Sequence, residues 1–176
     1  MRLLKTKPYK GLALMVDSPV GLLKLVENGS ALTHLYFHKE KAAEAAETGQ
    51  SPLLLQAAGQ LAEYFEGRRR SFDLPLAPFG TEFQRRVWAE LTCIPYGETR
   101  FYSQVAEALG QGGASRAVGQ ANNRNPLAII IPCHRVLGRD GHLTGYAGGL
   151  EIKEYLLKLE ADVCNGRIRA CDLTED

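Results

Sequence analysis

The sequence predicts an α+β (α/β) fold in two parts: a small antiparallel sheet first, then a mostly helical C-terminal part that carries a helix-turn-helix. Three observations point there. Short apolar runs separated by turn residues fill positions 12–37. Apolar stripes at helical spacing, with capping signals at their ends, recur after position 51. Two short helical segments flank the glycine pair at 112–113.

The run Gly11–Val16 breaks at Asp17-Ser18-Pro19-Val20-Gly21, and Leu22–Val26 breaks at Glu27-Asn28-Gly29, where Asn-Gly is a strong hairpin signal. Leu32–Phe37 alternates well enough to be a third strand, which gives a meander over 12–37. His34 and His38 read as strand-surface residues, because no cysteine or acid pattern accompanies them. Lys39–Thr48, rich in alanine and glutamate, reads as a helix or a helical loop. Ser51 suits an N-cap, Pro52 the first turn and Gly67 the C′ position of a helix whose apolar face is Leu54, Leu55, Ala58, Leu61, Ala62 and Phe65. Arg68-Arg69-Arg70 reads first as a solvated helix exit and second as a phosphate contact.

Asp73–Gly80, with prolines at 75 and 78, looks like a linker. The expected organisation is a supporting domain over 1–74, a linker over 75–80, the chemistry-bearing domain over 81–162 and a tail over 163–176. Thr81 and Gln84 form a capping box for a helix striped by Phe83, Val87, Trp88 and Leu91, with the sole tryptophan in the core. Cys93 has no electropositive setting and reads as structural. Pro95–Thr99 is a turn. Ser103–Leu109, closed by Gly110, and Ser115–Asn122 make the two helices of the helix-turn-helix. The second helix carries small residues around Arg116; close approach to a duplex and packing against another helix both account for Ala117, Gly119 and Ala121. Leu150–Glu160 is amphipathic, with Ile152, Tyr155, Leu156 and Leu159 on one side.

Composition is that of an ordinary globular protein: 176 residues, 45% hydrophobic, 23% charged, net charge +1. No apolar run approaches the roughly 20 residues of a membrane span. Met1–Lys7 is basic without an apolar core, so no secretory signal is expected. The four cysteines (93, 133, 164, 171) show no zinc-like spacing, so a reducing cytoplasm, free thiols, no metal and no cofactor are the expectation. Charge is uneven: Thr99–Arg139 holds five arginines against one acid, Glu107, whereas Leu150–Asp176 holds four basic and seven acidic residues. An arginine-only surface suits phosphate contact, and a solvated face fits equally well.

The centre of interest is Ile131-Pro132-Cys133-His134-Arg135-Val136, fed by the apolar run Leu127–Ile131, which reads as a short buried strand ended by Pro132. A lone cysteine after such a strand reads as core. With imidazole and guanidinium as its next neighbours it reads as a thiolate nucleophile. Glu160, at the edge of the last helix's buried face, taken alone reads as a helix-end glutamate in water; if buried it needs a partner, and His134 is the natural one. Asn125, held extended before Pro126, offers both a donor and an acceptor.

Ile131–Val136, together with Ser115-Arg116-Ala117-Val118-Gly119, Asn125-Pro126, Gly145-Tyr146-Ala147-Gly148-Gly149 and Lys153-Glu154-Tyr155-Leu156-Leu157, resembles the O6-alkylguanine-DNA alkyltransferase family over roughly residues 80–161. The resemblance implies a ribonuclease H-like N-terminal domain and a C-terminal domain that binds double-stranded DNA in the minor groove as a monomer. It implies that Cys133 accepts the alkyl group, His134 serves as base through a water, Glu160 orients the imidazole, Asn125 supports the thiolate, and Tyr102 donates a hydrogen bond to the purine. It also implies DNA contacts from Arg116, Ser115, Ala117, Gly119, Tyr102 and Arg135, with Arg116 filling the gap left by a flipped nucleotide. The base pocket would be lined by Cys133, Val136, Tyr146, Ala147 and Gly148. Some relatives carry serine where this chain has Ala147, and the metal-binding residues of some members have no counterparts here. The rival readings are a non-catalytic lesion-recognition module, a thiol-based redox regulator that binds DNA, and, weaker, a cysteine hydrolase.

Overall fold

A computed structural model describes residues 11–37 and 46–167. The meander forms where expected. Strands β1 (Leu12–Val16), β2 (Leu23–Glu27) and β3 (Leu32–Phe37) pair antiparallel. The β2–β3 turn is fixed by Asn28, whose Oδ1 accepts from the amides of Ser30 and Ala31. A two-residue strand, β4 (Glu47–Thr48), lies parallel to β1, so the sheet is mixed, in the order β3-β2-β1-β4. This corrects the helical reading at its end; positions 39–45, like His38, Met1–Lys7 and Cys171, lie outside the described residues. The open edge of β1 supplies the reason: Glu47 donates to Gly11 O at 3.0 Å and Gly49 to Ala13 O at 2.9 Å, and these ladder bonds override an alanine-rich propensity.

Helix α1 (Pro52–Phe65) starts at Ser51, whose hydroxyl accepts from the Leu54 amide, and packs on β1 and β2. Its buried side is Leu54, Ala57, Gln60, Leu61, Tyr64 and Phe65, whereas Leu55 and Ala62 face solvent. The buried stripe therefore takes in two polar side chains that an apolar count passes over. Beyond α1, the expected linker does not hang free. Leu32 of β3 donates to Pro75 O at 2.9 Å and accepts from Ala77 N at 2.8 Å, which makes 75–77 an extra edge to the sheet. Further along the same edge, Leu35 donates to Pro126 O at 2.8 Å.

The second half follows its capping signals. Helix α2 (Glu82–Thr92) has the expected capping box, and Trp88 is buried, donating Nε1–H to Ala121 O at 2.8 Å. A short β5 (Arg100–Phe101) leads into α3 (Tyr102–Ala108), and the Gln111–Gly113 turn leads to α4 (Ser115–Asn123). β6 (Val136–Leu137) pairs parallel with β5, and α5 (Leu150–Cys164) runs four residues past Glu160. Cys93, expected in a structural setting, is exposed at the end of α2.

The largest departure is Leu127–Ile131, which is not a strand. It folds into a buried tight turn, closed by Ile131 N–H to Leu127 O at 2.8 Å, with Ile129 at φ 71°. That backbone region disfavours a β-branched residue. Asn125 holds it: its Oδ1 accepts from Leu127 N at 3.0 Å and its Nδ2 donates to Ile131 O at 2.8 Å, so a side chain replaces a strand partner. The turn is part of one apolar core that joins the sheet and α1 to the helices of the second half.

Candidate active site

Cys133, His134 and Arg135 form a single 3₁₀ turn between Pro132 and β6, all three buried. The backbone here is anchored from α4 by Asn122, whose Nδ2 donates to Cys133 O at 3.3 Å. Two side chains of this turn, His134 and Arg135, converge on Glu160 of α5. His134 is fully buried, and its Nε2 stands 2.9 Å from Glu160 Oε1 of α5. A carboxylate only accepts, so the proton sits on Nε2 and Nδ1 is the lone-pair nitrogen. Nδ1 is buried and takes no hydrogen bond among the described residues.

Glu160 is clamped from four directions. Tyr64 of α1 donates to Oε1 at 2.7 Å, Gly97 N to Oε2 at 2.9 Å, and Arg135 grips both oxygens through Nε and Nη2 at 2.9 Å. Gly97 is at φ +79°, and a Cβ there would stand 2.5 Å from Cys164 Sγ, so only glycine brings this amide to the carboxylate. Burial by itself would raise the Glu160 carboxyl, but His134 and Arg135 outweigh it and bring it down to about 2. For His134, burial lowers the imidazole and Glu160 only partly restores it.

Arg135 is not available to DNA. Its guanidinium is taken up by Glu160 and by Ile94 O at 2.6 Å, and it lies over the Tyr96 ring. Nor does it act as a cation beside the thiol. The Cys133 thiol is pushed up to about 11 by burial, against smaller lowering effects from the Asn125 amide and the Lys153 charge. Lys153 belongs to the motif at 153–157, but the sequence assigns it no role. Fully buried on α5, it donates to Val136 O at 2.6 Å and Thr144 O at 3.0 Å, joining β6 to the loop before α5. A lysine on the buried side of a helical stripe, one turn before a leucine, is the signal that pattern reading discounts.

Beside the buried group is a cleft of about 920 Å³, bounded by Tyr102, Ser115, Arg116, Gly119, Arg139 and Thr144 among others. The helix-turn-helix thus brings Arg116, Ser115 and Gly119 to one opening, with Ala117 exposed nearby on α4. Of the five arginines between 99 and 139, Arg100 is paired with Glu90 and Arg135 with Glu160, which leaves Arg116, Arg124 and Arg139 exposed. Tyr102 links cleft and thiol. Its hydroxyl accepts from Thr144 Oγ1 at 3.2 Å, and its phenol is raised by burial and, more weakly, by the nearby Cys133 charge.

The residues expected to line a base pocket are placed differently. Val136 is in the core, Tyr146 is buried against Phe37 of β3, Gly148 packs on the same Phe37, and Ala147 is exposed. Their neighbours Thr144 and Gly145 form the cleft wall instead. Gly145 allows it: a Cβ there would lie 2.7 Å from Asn123 Nδ2.

Residues 9–78 match the family model described as 6-O-methylguanine DNA methyltransferase, ribonuclease-like domain, and residues 82–162 match that family's DNA binding domain. The chain belongs to the 6-O-methylguanine DNA methyltransferase family. Among its relatives, the methylated-DNA–protein-cysteine methyltransferase of Methanosarcina barkeri is 54% identical over 149 residues, covering 83% of this chain and 94% of the relative. That of Mycolicibacterium paratuberculosis is 51% identical, covering 82% and 89%. The crystal structure of Mycobacterium tuberculosis OGT in complex with DNA superposes with a TM-score of 0.82 at 45% identity, covering 86% of this chain and 94% of that one. Among the described residues no helix is long and apolar enough to cross a membrane.

Proposed function

We propose that this chain repairs DNA by moving an alkyl group from O6 of guanine onto its own Cys133 in a single irreversible event. The observation that carries the reading is the buried thiol next in sequence to the His134–Glu160 pair, coupled through Tyr102 to a cleft that the helix-turn-helix flanks and that Cys133 itself does not line.

The charge state of the sulfur sets the mechanism. A thiol at about 11 is ionised in roughly one molecule in ten thousand at neutral pH, so it needs a base at the moment of reaction. His134 Nδ1, through a bridging water, takes that proton. Glu160 keeps the imidazole in the tautomer that leaves Nδ1 free and stabilises the imidazolium that results. The thiolate attacks the saturated carbon, the carbon–oxygen bond breaks with its electron pair going to O6, and Tyr102 donates a hydrogen bond to the departing purine. A thioether remains, and no neighbouring group can cleave it. Asn125 holds the turn that presents the sulfur and donates to the thiolate.

An O6 adduct is buried in the base stack, so the nucleotide has to be extruded at a cost of a few kcal/mol. Arg116, exposed on α4 at the cleft, offsets part of that by occupying the vacated space from the minor groove. Ser115, Ala117 and Gly119 are small enough to let α4 approach the duplex. O4-alkylthymine presents the same type of carbon–oxygen bond and is a second substrate on this reading. The chain acts as a monomer, and a reducing cytoplasm keeps its thiols free.

Intact mass after incubation with an alkylated duplex should show one alkyl group per chain, mapped to the Cys133 peptide. Repeated turnover, or transfer to another cysteine, would overturn the proposal. Cys133→Ala should abolish transfer while keeping DNA binding. Arg116→Ala should slow repair of duplex DNA far more than reaction with free O6-benzylguanine; equal losses on both would remove Arg116 from the extrusion step.

A further inference from the structure

We propose that Tyr64, from helix α1 of the N-terminal half, is a positioning residue of the acceptor site, its hydroxyl fixing both the orientation and the basicity of the Glu160–His134 pair. The inference rests on the alkyl-acceptor reading above. Tyr64 is 0% exposed, with its hydroxyl 2.7 Å from Glu160 Oε1 and 3.5 Å from His134 Nε2. The ring is held by Phe65 and Phe72 at 5.5 Å and by Tyr96 at 5.9 Å, so the hydroxyl has one place to go. Phenylalanine would fill this space equally well. What tyrosine adds is one O–H, and it lands on the carboxylate oxygen that accepts from the imidazole.

Two donors on one oxygen compete. Charge drawn toward Tyr64 is charge not felt by His134, so the phenol moderates how strongly Glu160 favours the imidazolium. Burial and the Glu160 charge keep Tyr64 protonated and therefore a donor. The other groups facing the pair are Arg135 from the 3₁₀ turn, Tyr96 and the Gly97 amide from the turn after α2, and Lys153 from α5. Arg70 and Cys164 act on Tyr96 from outside. Removing the Tyr64 hydroxyl leaves Glu160 more negative toward His134 and raises the imidazole, so the free base forms only at higher pH.

The test is the single-turnover rate of Cys133 alkylation by free O6-benzylguanine, read by intact mass across the acid-to-neutral range. Tyr64→Phe should slow transfer roughly tenfold and move the acid limb up by roughly half a pH unit or more. A ring-fluorinated tyrosine at position 64, a stronger donor of nearly the same shape, should move the limb down. Opposite shifts from two conservative replacements do not arise from packing. NMR titration of the His134 imidazole in the same variants should shift in the same directions whether or not transfer occurs. Superimposable profiles and titrations in all three proteins would overturn the role of Tyr64. Absence of any mass gain on the unmodified chain would overturn the acceptor reading instead.

Discussion

At the scale of single residues, Glu160 is one point at which acid undoes this fold. Its carboxyl lies at about 2 in the folded chain against an ordinary 4.5. A depressed carboxyl contributes stability that is fully present above the unfolded value and is lost as pH falls toward the folded one. The window therefore runs from about 4.5 down to about 2, with a contribution on the order of a few kcal/mol. His134 works in the same direction: burial lowers its imidazole below 6.5, so protonation disfavours the folded state as pH drops past that value. Urea unfolding measured at a series of pH values should show stability falling through this range, with a shallower slope in Glu160→Gln. Identical slopes would mean the carboxyl is not held as described. Arg135 illustrates what residue order cannot convey. Adjacency to Cys133 made it look like a cation beside a thiol, whereas side-chain direction sends it to Glu160 and Ile94.

At the scale of elements, the helices were legible because their signals are local: Ser51, Thr81 with Gln84, and the glycine turn at 112–113 all act within a few residues. The turn at 127–131 was not. Five apolar residues in a row carry a strand's composition, and what bends them is the amide of Asn125 reaching two backbone groups. Asn125→Ala would leave Leu127 N–H buried without its partner, at about 1–3 kcal/mol for such a group, and would leave Ile131 C=O with the Cys133 amide alone. The melting temperature should fall by several degrees and Cys133 alkylation should slow, read by calorimetry and intact mass. An unchanged melting temperature would show that the turn holds without its clamp.

At the scale of the molecule, the N-terminal half was legible as a sheet with a helix but read only as a support. Its links to the site are long-range and leave no mark in sequence spacing, among them the edge of β3 that receives Pro126, Phe37 on Tyr146, and Tyr64 on Glu160. One shared core implies joint unfolding. Fluorescence of Trp88, seated between α2 and α4, and far-UV circular dichroism should give coincident urea transitions; separated midpoints would mean the halves melt independently. The concealment of Cys133 has a bearing on lifetime as well. Diffusible electrophiles and oxidants meet the exposed Cys93 first, at the end of α2, whereas exposed Cys164 packs against Gly97, whose amide holds Glu160. If each chain transfers only once, as proposed, that sulfur must survive until a lesion arrives, and the fraction of molecules still competent in a stressed cell is governed by how seldom small reagents find a thiol that is 2% exposed.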